Sequence, residues 1–445
     1  MGKYFGTDGF RGEAGKDLTA EQAFRIGMIL ASIFGKNGRR PRAVIGKDTR
    51  RSGYMLEYAV ASGLAAAGAD AHILHVCTTP SVSYAVGTDG FDLGIMISAS
   101  HNRYTDNGIK IVDGTGAKIG DEITERIEAL MDKDDPPASV TGADIGRIVD
   151  WYEGRNRYIG YLISLAKHSY KGLKIGLDCA NGGAFMIAKA VFEALGAEVK
   201  TIGTSPDGLN INEGCGSTHP EKLCELVKQE RLDLGFAFDG DADRCIAIDE
   251  RARVVDGDGI LYILANGMRE RGELKNDTVV TTVMSNGGLW RALCDKGMRY
   301  EVTSVGDRFV YEKIKEGGYS LGGEQSGHII MTKYATTGDG ILTAIMLTEE
   351  IRERNTSLSS LVRELVPMPQ ITKNIRVADK KRAISSPVLS EAVKKAEEEL
   401  SKRGRLILRE SGTEQVIRLT VECDSMELCE RLSEGLTNII SEAGG

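Results

Sequence analysis

One pattern, met three times along the chain, constrains its fold more than any other: a strand, a polar or glycine-containing turn, a helix and a second strand. The copies are AVIGKDTRRSGYMLEYAVASGLAAAGADAHIL (43–74), KIGLDCANGGAFMIAKAVFEALGAEVKTI (174–202) and VVTTVMSNGGLWRALCDKGMRYEVTS (279–304). A strand that feeds a helix and returns to another strand is the unit of α/β proteins. Each helix runs out near a glycine (Gly68, Gly196, Gly297), as a left-handed C-cap requires. The second and third copies also share Asn-Gly-Gly at the strand-to-helix turn, at Asn181 and Asn286. Three similar α/β domains are therefore expected.

The chain has 445 residues, more than one hydrophobic core usually supports. Helical segments at about 150–166 and 256–271 read as handovers between domains, and the third domain ends in a helix after Gly340 followed by the proline-broken VPMPQ (366–370). Beyond it, ITKNIRV, a charged helix at about 386–402, the strands RLILR and QVIRLTVE and a last helix make a smaller α+β domain. The expected divisions are 1–150, 151–253, 254–368 and 369–445.

Composition narrows the function class. Charged residues are 27%, hydrophobic residues 41%, and the formal charge of −8 argues against a nucleic-acid surface. The start, MGKYFGTDGFRG, carries no apolar leader and no stretch reaches membrane-spanning length, so a cytoplasmic protein with no membrane partner is expected. Eight cysteines without a CxxC pair predict reduced thiols.

Chemistry concentrates in FDGDADR (238–244), where Asp239, Asp241 and Asp243 alternate along a short loop and would repel one another without a cation. Hard oxygen ligands suit Mg²⁺ or Ca²⁺. An EF-hand would also place Glu250 at its twelfth position, but its sixth position needs glycine and here holds Arg244. The flanks LDLGFAF and CIAIDE read as strands, not helices. In GIMISASHNRYTDNGIKIV, Ser100 stands at a strand exit and Lys110 on the next strand. Ser100 and His101 are neighbours whose side chains would diverge on an extended chain, and no GxSxG elbow exists, so a hydrolase triad is not indicated. SLGGEQSGHII sets Glu324, Ser326 and His328 on a glycine-rich turn between apolar strands. LRESGTEQVIR offers Arg409, Ser411, Gly412, Thr413 and Arg418, a set of donors suited to phosphate.

These segments stand in one order with FGTDGFRG (5–12), GKDTRRSG (46–53), DCANG (178–182), VDGD (255–258), TVMSN (282–286), VGDR (305–308) and TTGDG (336–340). Together they resemble the α-D-phosphohexomutase superfamily over essentially the whole length, and within it the bacterial phosphoglucosamine mutase branch. The resemblance implies three like α/β domains and a smaller C-terminal α+β domain around a central cleft, each supplying one loop. It implies that Ser100 is a phosphoserine and that its phosphate shares one Mg²⁺ with Asp239, Asp241 and Asp243. Lys110 and Arg244 become candidates for charge stabilisation or proton movement, Arg11 and Thr7 line the cleft, and His101 orients the Ser100 loop. Asp307, Arg308, Glu324, Ser326 and His328 would meet the sugar, and the last loop the non-reacting phosphate. The implied reaction interconverts glucosamine 6-phosphate and glucosamine 1-phosphate through glucosamine 1,6-bisphosphate. The same chemistry on glucose or mannose phosphates, or a non-catalytic sugar-phosphate-binding homologue, stands as the alternative, and monomer and homodimer are both open. The chain departs from the family at Arg103, Glu410 and Gln415, where prolines are usual.

Overall fold

The computed structural model describes residues 3–6, 8–35, 39–133, 137–410 and 415–445, without the side chain of Lys402. The described residues form two compact units, Met1–Met284 with Gly297–Arg363, and Ser285–Lys296 with Glu364–Gly445.

The first unit contains three sheets. In the first, the strand order is Phe5–Gly6, Gly9–Glu13, Asp106–Asp113, Leu93–Ile97, Arg42–Lys47, Asp70–Val76, Ile148–Asp150. The second runs Val254–Val255, Cys245–Ile248, Leu234–Phe238, Lys174–Asp178, Glu198–Ile202. The third runs Arg299–Thr303, Thr278–Thr282, Leu321–Gly323, Ile329–Met331. Parallel strands joined through helices run to one edge of each sheet, and covering on both faces explains why Leu93–Ile97 and Leu234–Phe238 are buried at every position. Val254–Val255 completes the second sheet rather than beginning the third.

Each sheet departs from parallel pairing in the same way. Leu93–Ile97 is followed by the antiparallel Asp106–Asp113, Leu234–Phe238 by the antiparallel Cys245–Ile248, and Leu321–Gly323 by the antiparallel Ile329–Met331. The connections are 98–105, 239–244 and 324–328, so the loops carrying Ser100, the three aspartates and His328 are one equivalent connection in three sheets. The metal-type loop thus lies between two strands, which disposes of the helix-flanked EF-hand.

The expected helices appear as Tyr152–Leu165, Gly257–Glu270 and Gly340–Arg354. The shared Asn-Gly-Gly does not produce a shared cap. Asn286 caps the helix Gly287–Asp295 by accepting from the Gly288 N–H at 2.8 Å, whereas Asn181 lies in the left-handed region (φ 49°) and accepts from the Ser205 N–H across the sheet end.

The second unit is built on an antiparallel sheet ordered Gln370–Arg376, Val416–Cys423, Gly404–Glu410. The helices Pro387–Leu400 and Met426–Gly444 cover it around Leu389, Ile417, Leu419, Val421 and Ile440. The helix Gly287–Asp295, from the span of the third domain, belongs to this unit: its first N–H is taken by Glu422, which also pairs with Arg405 stacked on Trp290. All eight cysteines are free. No helix among the described residues is long and apolar enough to cross a membrane.

Candidate active site

Ser100 follows the buried strand Leu93–Ile97 and has a φ of 52°, the left-handed region that a non-glycine residue occupies only when its surroundings hold it there. Its N–H is received by the Ser98 hydroxyl, which in turn donates to Asp48 at 2.6 Å. Asp48 also pairs with the wholly buried Arg50, and Arg50 donates to the carbonyls of Ser100, Asn102 and Asp106. The turn has one further effect. Because the chain is not extended there, Ser100 Oγ and His101 Nδ1 come within 3.4 Å, against the divergence expected from their adjacency. His101 Nδ1 also lies 3.3 Å from the Arg244 guanidinium. Desolvation, then the charges of Arg244 and Arg11, push its pKa down to about 4, so the imidazole is neutral and suited to orienting the loop.

Ser100 Oγ donates to Asp239 Oδ2 at 2.5 Å, across 139 residues of sequence. Asp239, Asp241 and Asp243 are all buried, and one ligand atom from each falls within 4.8 Å of the others. Burial, then repulsion from Asp243 and Asp241, raises the Asp239 pKa well above the carboxylate range. Asp243 is driven the other way. Burial opposes its ionisation, but Lys110, His328 and Arg244 outweigh that and hold its pKa well below the ordinary value. Asp241 Oδ1 and Asp243 Oδ1 are buried without a hydrogen-bond partner, a costly arrangement unless a cation takes them. An all-oxygen set with two orphaned buried carboxylate atoms fits a hard divalent cation such as Mg²⁺.

Lys110 supplies the nearest positive charge. Its ammonium is 2.8 Å from Asp241, 3.0 Å from Asp8 and 3.6 Å from Asp243. Burial would lower its pKa, but these carboxylates raise it, so the ammonium stays charged. Arg11 and Lys118 both pair with Asp8, and Lys118 also reaches Asp307. Thr79 donates its hydroxyl to Asp241. Asp8, Lys118, Thr79 and Arg50 are site residues that sequence reasoning passed over. Asp8 lay inside FGTDGFRG and Arg50 inside GKDTRRSG, so for these two the signal was present.

The third loop closes on the second through the backbone, with the Cys245 N–H donating to the Gly327 carbonyl at 3.0 Å. His328 stands 3.6 Å from Asp243 and 3.7 Å from Asp307, and its Nε2 accepts the Gly338 N–H. Burial lowers its pKa, but Asp243, Asp307 and Glu324 reverse this and raise it. Glu324 accepts the Gly306 N–H, tying its loop to the VGDR turn, while Ser326 is exposed. Arg308 is engaged with Asp121 and Glu312. A cavity of about 660 Å³ has Asp8, Lys110, Lys118 and Arg308 in its wall, and it adjoins the site through Asp8 and Lys110 rather than through Ser100, the aspartates, Glu324 or His328.

In the second unit Arg409 and Arg418 sit opposite each other in the hairpin register, and Glu410 and Gln415 are exposed. Thr7, Ser411, Gly412 and Thr413 lie outside the described residues.

The chain matches the phosphoglucomutase/phosphomannomutase alpha/beta/alpha domains I, II and III over residues 2–138, 156–253 and 256–368, and the C-terminal domain of the same proteins over 373–439. It is 53% identical to phosphoglucosamine mutase of Lachnoclostridium phytofermentans, over 100% of this chain and 99% of the relative, and 48% identical to that of Oceanobacillus iheyensis, over 99% of each. Among solved structures, a phosphoglucomutase/phosphomannomutase family protein from Burkholderia thailandensis superposes with a TM-score of 0.81 at 25% identity, covering 100% of this chain and 98% of that one. Aspergillus fumigatus N-acetylphosphoglucosamine mutase, solved with GlcNAc-6P and magnesium, shares the fold at a TM-score of 0.67, 18% identity and coverage of 99% and 96%. With four consecutive domains matched and full-length relatives near half identity, the chain belongs to the phosphoglucomutase/phosphomannomutase family, the α-D-phosphohexomutases.

Proposed function

We propose that this protein is a mutase that interconverts glucosamine 6-phosphate and glucosamine 1-phosphate, with Ser100 as the phosphoryl carrier. The observation that carries the reading is the 2.5 Å contact between Ser100 Oγ and Asp239 inside a buried triad of aspartates, beside the Lys110 ammonium. Full-length relatives with the name phosphoglucosamine mutase support the substrate.

Asp239, Asp241 and Asp243 would hold Mg²⁺ together with an oxygen on phosphorylated Ser100, where the cation supplies neutralisation of the transferring group's charge. The Oγ–phosphorus bond of Ser100 breaks as a bond forms from phosphorus to the free sugar hydroxyl, whose proton leaves to a base. The product is glucosamine 1,6-bisphosphate. After the sugar turns around, its other phosphate returns to Ser100 by the same displacement. Lys110 and Arg244 stabilise the charge that moves between these oxygens. Arg11 and Thr7 border the site, and His101 holds the carrier loop. Glu324, Ser326, His328, Asp307 and Arg308 orient the sugar, and Arg409, Ser411, Gly412, Thr413 and Arg418 take the phosphate that is not reacting. The divisions at 1–150, 151–253 and 254–368 contribute the loops of Ser100, the aspartates and Glu324, and 369–445 carries the phosphate loop. A cytoplasmic location follows from a sugar-phosphate substrate.

Intact mass tests the carrier: the protein should contain a species heavier by one phosphate, and Ser100→Ala should lose both that species and turnover while still binding sugar phosphate. Normal turnover in Ser100→Ala would end the mechanism. Rates on glucosamine, glucose and mannose 6-phosphates decide the substrate, and a preference for glucose or mannose would move the protein to the phosphoglucomutase/phosphomannomutase reaction.

A further inference from the structure

We propose that Asn212 is a positioning residue that sets the distance between the Ser100 carrier and the aspartate loop, an inference that rests on Ser100 being the carrier. Asn212 lies in the connection between the strand Glu198–Ile202 and the helix Glu221–Glu230, in the division that also holds Asp239–Asp243. It is buried, has a φ of 59°, and its own N–H is fixed by the Ala180 carbonyl at 2.9 Å. Its side-chain Nδ2 donates to two carbonyls at once, those of Ser100 and Asn102, each at 2.9 Å. Arg50 donates to the same two carbonyls, at 3.1 and 2.7 Å, from the division that carries Ser100 itself. Each carbonyl has two lone pairs, so one donor from either side saturates both.

This explains how the left-handed Ser100 turn is maintained. A non-glycine residue in that region is disfavoured and persists only where the surroundings over-determine it. Arg50 fixes the turn within its own sheet. Asn212 ties it to the neighbouring sheet, whose loop carries Asp239, the acceptor of the hydroxyl. Gly240 shows how close the fit is: a Cβ there would stand 2.5 Å from the Ser100 carbonyl and 3.0 Å from Asn212 Nδ2. Without Asn212 the Ser100 carbonyl keeps only its intradomain anchor, and the Oγ is free to drift from Asp239.

Asn212→Asp keeps the shape but turns an acceptor toward two carbonyl oxygens. Expected is a fall in kcat of ~100-fold, the scale of an ångström-sized misplacement, with KM for glucosamine 6-phosphate within about twofold. Asn212→Ala, which removes the donors without adding repulsion, should fall by ~10-fold in the same parameter. Rates are referred to the phosphorylated fraction read by intact mass, and thermal midpoints are taken on the same samples. A structural role alone would lower the folded fraction and leave kcat per phosphorylated site unchanged. Wild-type kcat in either folded variant, or a loss confined to KM, overturns the proposal. Should Asn212→Asp fail to fold, Asn212→Ala decides by the same criterion. The two readings separate in the wild-type mass spectrum: no phosphate on Ser100 defeats the carrier, whereas a phosphorylated wild type with a fully active Asn212→Asp defeats only the positioning role.

Discussion

Lys110 holds its ammonium 2.8 Å from Oδ2 of Asp241, joining a strand of the first sheet to a loop of the second across 131 positions of sequence. Both are buried, and the ammonium is shared with Asp8 and Asp243. A buried charge of this kind is worth little against a well-packed apolar pair, yet removing one partner strands the rest.

Lys110→Met should therefore destabilise the protein by ~3–5 kcal/mol, because buried Asp241 loses the cation paired with it. Urea denaturation measures this. A loss below ~1 kcal/mol would mean that the cluster behaves like a solvent-screened surface pair.

Asp241→Asn preserves an oxygen acceptor for Thr79 and Lys110 but removes one charge from the triad. Mg²⁺ affinity should drop by more than ~10-fold, since even outer-shell losses reach that size. Calorimetric titration with MgCl₂ gives the answer directly, and equal affinities would take Asp241 out of the ligand set.

Asp339 provides a test of sign with pH. It caps the helix Gly340–Arg354 and receives the Tyr158 hydroxyl at 2.7 Å, but burial is the larger influence and raises its pKa to about 6. Between an ordinary carboxylate pKa of ~4 and that value, the folded chain holds a proton the unfolded chain has released, so this residue makes stability fall as pH rises, by ~3 kcal/mol in all. Asparagine cannot ionise. The stability of Asp339→Asn relative to the parent should thus improve by ~3 kcal/mol between about pH 4 and pH 7. A difference that stays constant over that range contradicts the burial effect.

Fast thiol chemistry should be confined to one position, with half-buried Cys224 slower. Cys294 is the exposed cysteine among the eight, while burial pushes Cys77 up to about 12 and Cys215 up to about 11. Ellman's reagent should find a single fast thiol in the native protein and eight after denaturation. Rapid native modification of Cys77 would show that the chain just after the strand Asp70–Val76 opens.

Much of the site was readable because its chemistry is written in short runs. Asp239, Asp241 and Asp243 stand two apart, and glycine with polar residues between apolar strands marked the turn at Glu324–His328. What escaped was whatever depended on a partner far along the chain. Asp8 is one carboxylate in an acidic protein until Arg11, Lys110 and Lys118 are seen to converge on it. The contact of Ser100 with His101 was missed for a local reason: the extended chain assumed there is in fact a left-handed turn, held by Arg50 from a different strand exit.

The sequence by itself determined the α/β class, the repeated unit and the residue types each loop would offer, since periodicity and turn chemistry are properties of near neighbours. Only the tertiary structure decided that one equivalent connection in three successive sheets brings Ser100, the aspartates and His328 together. That meeting rests on hydrogen bonds and ion pairs spanning more than a hundred residues, such as those from Ser100 to Asp239 and from Lys110 to Asp241. Their geometry follows from how whole sheets pack, which no local spacing records.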